Sequence, residues 1–90
     1  MPVGKVKRVI DGDTFVLAGG EHVRTANLDA PELGEKGGQA AKKRLQQILP
    51  RGQQVGLSKP VARSYDRVVR KVTVKGKPVN KLVAKSPKHH

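Results

Sequence analysis

V-I-D-G-D-T-F-V-L-A-G-G-E-H-V-R-T-A-N-L-D-A-P-E, from Val9 to Glu32, decides how this chain reads. Asp11-Gly12 is a tight-turn dipeptide, so a strand arriving through Val9 and Ile10 doubles back and the next one begins at Asp13. Thr14 to Leu17 places Phe15 and Leu17 on one face by period two. Ala18-Gly19-Gly20-Glu21 is a hairpin signal, and His22 to Leu28 returns as a third strand. Pro31 stops that strand, because it has no N–H to give to a ladder and holds Ala30 extended. If the second and third strands are neighbours, Asp13 and Asp29 sit near strand ends and can face one another. Two carboxylates that converge without a cation repel, so one is protonated or a metal lies between them.

The distribution of charge points to the same stretch. Seven acidic residues stand against nineteen Lys and Arg, and five of the seven (Asp11, Asp13, Glu21, Asp29 and Glu32) fall here. Acids this scarce and this gathered have a local purpose. Along the third strand Arg24 shares a face with Ala26 and Leu28, an arrangement expected where a face opens onto a site. Asp11 reads as a turn residue.

Working outward, Val3 to Ile10 is a strand of Val and Ile interleaved with Lys and Arg. Leu33 to Gly38 is a glycine-rich loop. Gln39 to Leu49 carries Ala41, Leu45, Ile48 and Leu49 as one apolar stripe, which predicts an amphipathic helix ended by Pro50 and Gly52. Gln54 to Ser58 is a fourth strand, Lys59 to Tyr65 a loop, and Val68 to Val74 a fifth strand turning at Lys75-Gly76. Val79 to Ala84 reads as a short second helix. A polar tail, Lys85 to His90, is expected to be disordered. Three strands, a helix and two more strands is the element order of a five-stranded barrel of the oligonucleotide-binding (OB) type.

Ninety residues make one small domain, residues 1–90, with a modest core. One Phe, one Tyr and no Trp leave Val, Leu, Ile and Ala to fill it. The absence of cysteine excludes disulfides and thiolate zinc sites. No apolar run spans a membrane, and M-P-V-G-K-V-K-R lacks the apolar centre of a signal peptide. The expectation is a cytoplasmic protein or a trimmed secreted form. A net charge of +12 favours a polyanionic partner, nucleic acid first. From Arg67 to His90 there are eight Lys and Arg and no acid, the composition of a phosphate track. A lipid surface asks for bulky apolar anchors that the helix lacks, and no obligate protein partner is evident.

D-G-D-T, then V-R, then D-A-P-E five residues on, resembles the staphylococcal nuclease (thermonuclease-like) family, and the resemblance continues through S-Y-D-R at Ser64 to Arg67 and G-K-P-V-N at Gly76 to Asn80. It covers about Val6 to Lys85. The resemblance implies a mainly β fold with one or two helices, closed as an OB barrel. It implies a calcium-dependent phosphodiesterase acting on DNA, RNA or both and leaving 3′-phosphate ends. Asp13 and Asp29 match the family's calcium-holding aspartates, with the Ala30 carbonyl as a third ligand. Glu32 matches the general base, and Arg24 and Arg67 the two arginines that grip the phosphate. Tyr65 falls where the family has a tyrosine beside the substrate.

Three departures accompany the match, the first being a loop between Glu32 and the first helix that is shorter than in the best-known members. The family block before Arg67 reads Asp, variable, Tyr, Gly, Arg, whereas this chain has Arg63, Ser64, Tyr65, Asp66, Arg67. Asp66 can compete for Arg67, while Arg63 adds a cation to the substrate side. The family's further C-terminal helix has no counterpart in the sequence. A nucleic-acid-binding OB module without catalysis is the alternative, set against the presence of all five expected residue types.

Overall fold

The computed structural model describes residues 3–31, 33–63 and 67–85, without the side chains of 84 and 85. It is mainly β, with eight short strands in one sheet and two short helices. In chain order the elements are β1 (Val3–Val9), β2 (Thr14–Leu17), β3 (His22–Thr25), α1 (Gly38–Ile48), β4 (Gln54–Leu57), β5 (Ala62–Arg63), β6 (Val68–Arg70), β7 (Val72–Val74), β8 (Lys77–Pro78) and α2 (Val79–Lys85). The sheet order is β5-β6-β3-β2-β1-β4-β7-β8. All pairings are antiparallel except β3 with β6.

The five expected strands thus become eight, and the reasons are local. The single strand expected over Val68–Val74 splits at Lys71, because Val68–Arg70 pairs with β3 and Val72–Val74 pairs with β4. Ser58 takes over the backbone at the break: its N–H donates to the Lys71 carbonyl at 3.0 Å, and its Oγ accepts from the Lys71 N–H at 2.9 Å. Two-residue strands are added, β5 against β6 inside the loop expected over Lys59 to Tyr65 and β8 against β7 just after the turn at Lys75-Gly76. The hydrogen-bonded ladder runs from β5 to β8 and is not itself closed. The third strand ends at Thr25, three residues earlier than expected, and Asn27 takes a positive φ of 61° that no ladder accommodates.

β1 serves two partners. Its first residues pair with β4 and its last with β2, and a register irregularity between Val6 and Arg8 lets it bend between them. That bulge leaves Lys7 and Arg8 both exposed while Val6 and Val9 both point inward. All four residues of β2 are buried, so it is the central strand and not the one-sided one that period two predicts. Between β7 and β8, Lys75 and Gly76 both have positive φ, the conformation of a two-residue hairpin turn.

The core gathers Val6, Phe15, Val23, Leu45, Leu49, Val55, Val72 and Val79. α1 contributes Leu45 in full and Ile48 in part, and Leu49, which caps its C-terminus, is buried as the stripe predicts. Burying Leu45 completely is worth about 1.5–3 kcal/mol. Leu82 and Val83 of α2 pack on the same cluster. Among the described residues no helix is long and apolar enough to cross a membrane.

Candidate functional site

The site grows from the turn between β1 and β2. The Asp13 N–H donates to Asp11 Oδ1 at 3.2 Å, so Asp11 closes the turn on itself. Gly12 is buried, and a side chain there has no room: its Cβ would stand 2.6 Å from the Cβ of Ala30 and 2.6 Å from that of Ala41. This close approach seats the turn against both the Asp29–Pro31 loop and α1. It is the reason that Asp13 and Asp29, sixteen positions apart in the sequence, meet in space.

The hairpin register supplies Arg24. Thr14 stands opposite Arg24 in the β2–β3 pair, and the Thr25 N–H donates to the Asp13 carbonyl at 2.8 Å. Arg24 Nη2 lies 3.5 Å from Asp13 Oδ2 and 3.6 Å from Asp29 Oδ1, and the same nitrogen donates to the Leu28 carbonyl at 3.2 Å. One guanidinium edge therefore lies against both carboxylates. On the other side of Asp13, the Thr14 hydroxyl donates to Asp13 Oδ1 at 2.9 Å and accepts from Arg67 Nη1 at 3.1 Å. Arg67 immediately precedes β6, which the parallel pairing holds beside β3.

The two carboxylates differ in surroundings. Asp13 is nearly enclosed, whereas the Asp29 side chain is fully exposed. Burial, first of all, pushes the Asp13 carboxyl above its ordinary range, and a hydrogen bond and repulsion from Asp11 add to it. The Thr14 hydroxyl and the Arg24 charge act in the opposite direction without reversing it. Burial thus disfavours a charged carboxylate at this spot, and a cation drawn to it would act in the opposite direction.

The donors present suit a hard cation. Both carboxylates approach one nitrogen, so their nearest oxygens are at most about 7 Å apart, a limit that admits the span of up to about 5 Å between two oxygens sharing a calcium-sized ion. Among the described residues no group of three or more His, Cys, Asp and Glu converges, and Asp13 and Asp29 are the carboxylates that flank Arg24. Carbonyls and solvent would make up the remainder.

Of the residues singled out in the sequence, Asp13, Arg24, Asp29 and Arg67 come together, and Ala30 lies against the turn beneath Asp13. Arg63 is exposed on β5 opposite Val68, on the strand that flanks the Arg67 segment. Glu32 and Tyr65 lie outside the described residues. Glu21 does not belong to the cluster. It forms a two-pronged ion pair with Arg70, at 3.0 Å to Nε and 3.2 Å to Nη2. Thr14 was missed as a site residue, although the D-G-D-T block contains it and the hairpin register sets it opposite Arg24. No protein-family model matches the chain, and a search of curated proteins finds no match either.

Proposed function

We propose that this protein is a calcium-dependent nuclease of the staphylococcal nuclease type, hydrolysing phosphodiester bonds in DNA, RNA or both and leaving 3′-phosphate ends. One observation carries the reading: two arginines and two aspartates from three separate segments converge, with Arg24 against both carboxylates and Arg67 tied to Asp13 through Thr14. A lone structural ion pair needs one cation and one anion. This group has two of each, and burial pushes one of its carboxyls above its ordinary range.

In the proposed mechanism Asp13, Asp29 and the Ala30 carbonyl would hold calcium, which when bound supplies charge against a phosphoryl oxygen and an attacking water. Arg24 and Arg67 grip the phosphate, and their planar forks suit a pair of its oxygens. Their charge matters most as negative charge builds on the phosphoryl group. Glu32 takes the proton of the attacking water. A groove of about 230 Å³ lined by Asn27, Lys71, Val72, Thr73, Pro78, Asn80 and Lys81 starts one residue from Leu28, whose carbonyl holds Arg24. Its lysines and asparagines suit a nucleic-acid backbone leaving the site. The OB barrel belongs to the same proposal. It is supported by the parallel β3–β6 pair and by β6 and β7, which engage β3 and β4 with Lys71 alone between them.

The test is cleavage of plasmid and single-stranded DNA by the purified protein, with calcium and then with a chelator. Cleavage should require calcium, and Glu32→Gln should lower turnover by about 10²–10⁴ with little change in affinity. Binding without any cleavage in calcium would overturn the nuclease reading in favour of a nucleic-acid-binding module.

A further inference from the structure

We infer that Thr14 is a positioning residue whose hydroxyl aims the Arg67 guanidinium at the substrate phosphate, using Asp13 as its anchor. The inference rests on the nuclease reading above and adds a residue to it.

Thr14 is buried at 3 % exposure, at the first position of the central strand. A β-branched side chain in a strand has restricted χ1 freedom, so its oxygen is fixed as firmly as the strand itself. A hydroxyl carries one hydrogen and two lone pairs. Here the hydrogen is directed at Asp13 Oδ1 at 2.9 Å, which leaves the lone pairs for Arg67 Nη1 at 3.1 Å. Arginine only donates, so the hydroxyl can bridge the two groups in one sense: Arg67 to Thr14 to Asp13. Arg67 has a long side chain, and its root lies at the start of β6, 53 positions from Thr14. A guanidinium on such a stem loses rotamer freedom when it grips a phosphate. A fixed acceptor beside it removes part of that loss beforehand. The fork carries five N–H donors, and the Thr14 hydroxyl takes one from Nη1. The same hydroxyl ties this arginine to a carboxylate assigned to the cation, so the two halves of the site are set in one register.

The test uses the full chain and the variants Thr14→Val, Thr14→Ser, Arg67→Ala and the Thr14→Val/Arg67→Ala pair. Valine keeps the shape and removes the hydroxyl, and serine returns the hydroxyl on a looser rotor. Cleavage of a fluorescein-labelled single-stranded DNA in saturating calcium gives kcat and KM, and thermal melting without calcium gives a second readout. Thr14→Val should lower kcat by about 10–100-fold, the usual cost of losing an outer partner of a site residue, with a smaller change in KM. Thr14→Ser should recover most of the rate. In the Arg67→Ala background Thr14→Val should cost no further rate, because the group it positions is gone. Wild-type kcat in Thr14→Val, or an undiminished loss in the Arg67→Ala background, would overturn the inference. If wild type itself does not cleave, the nuclease reading falls separately. The bridge is then judged on melting alone: shifts that add fully between Thr14→Val and Arg67→Ala refute it, and a smaller combined shift supports it.

Discussion

Replacing Gly12 by alanine should damage the site from a position that carries no functional group. The added Cβ would arrive 2.6 Å from the Cβ atoms of both Ala30 and Ala41, and 3.4 Å from the Ala41 carbonyl carbon. Carbon atoms rest at about 3.5–4.0 Å, so each neighbour must retreat by about 1 Å. Neither alanine has a rotamer to change, and backbone must therefore move. Overpacking of this kind costs about 1–3 kcal/mol. For a domain of this size each kcal/mol lowers Tm by about 4–8 °C, which sets an expected fall of about 4–24 °C. α1 is anchored in the core by Leu45 and Leu49, so the Asp29–Pro31 loop should yield first. Asp29 would then draw away from Asp13, and half-saturating calcium in a cleavage or thermal-shift titration should rise. Ala30→Gly in the same background removes one of the two collisions and should restore part of both losses. A Gly12→Ala protein that melts within about 0.5 kcal/mol of wild type with unchanged calcium demand would refute the reasoning.

Three further outcomes are expected. Leu45→Ala empties a site with no exposure and should cost about 2–5 kcal/mol, read as a lower urea midpoint at unchanged slope; an unchanged midpoint would remove α1 from the core. Asp13→Asn should melt at or above wild type at neutral pH while losing its stabilisation by calcium. Because the folded carboxyl is pushed above its ordinary range, protonated Asp13 favours the fold at low pH, and that support is lost as pH rises through the raised value. The difference between the two proteins should therefore vanish below about pH 4, the unfolded carboxylate range, and a variant less stable than wild type at pH 7 contradicts the sign. Affinity for DNA should fall steeply with salt, with a log–log slope of about −0.7 to −0.9 for each phosphate contact, and a flat response would exclude a phosphate track.

Much of this arrangement is legible in the residues, and the boundary of legibility is physical. Asp11-Gly12, the Ala18–Glu21 hairpin and Lys75-Gly76 declare themselves because turn chemistry is local. The α1 stripe does so because burial imposes a helical period. What escapes is whatever depends on a distant partner. Nothing in V-V-R-K-V-T-V says that it divides at Lys71, since the break is made by β3 on one side and β4 on the other. Ala62–Arg63 and Lys77–Pro78 are strands only because β6 and β7 lie beside them. The site divides in the same way. Asp13, Arg24 and Asp29 lie within seventeen residues, and their convergence follows from two turns. Glu21 sits among them in sequence yet pairs with Arg70, 49 positions away, and Thr14 meets Arg67 across 53. Proximity along the chain gives no hint of the first pairing and hid the second.

The break at Lys71 also bears on how the chain acquires its shape during synthesis. Val68 pairs with Val23, a separation of 45 residues, while Thr73 pairs with Gly56 only 17 residues before it. Everything from β1 to β4 leaves the ribosome before the seven residues that occupy the β3 and β4 edges. Until then two rows of backbone donors and acceptors are open together, and both invite pairing with another nascent chain. The segment 68–74 covers both rows, so completion of the sheet depends on residues that emerge late and on long-range contact. A polypeptide interrupted within that segment is left with at least one bare edge, and one interrupted before it with two.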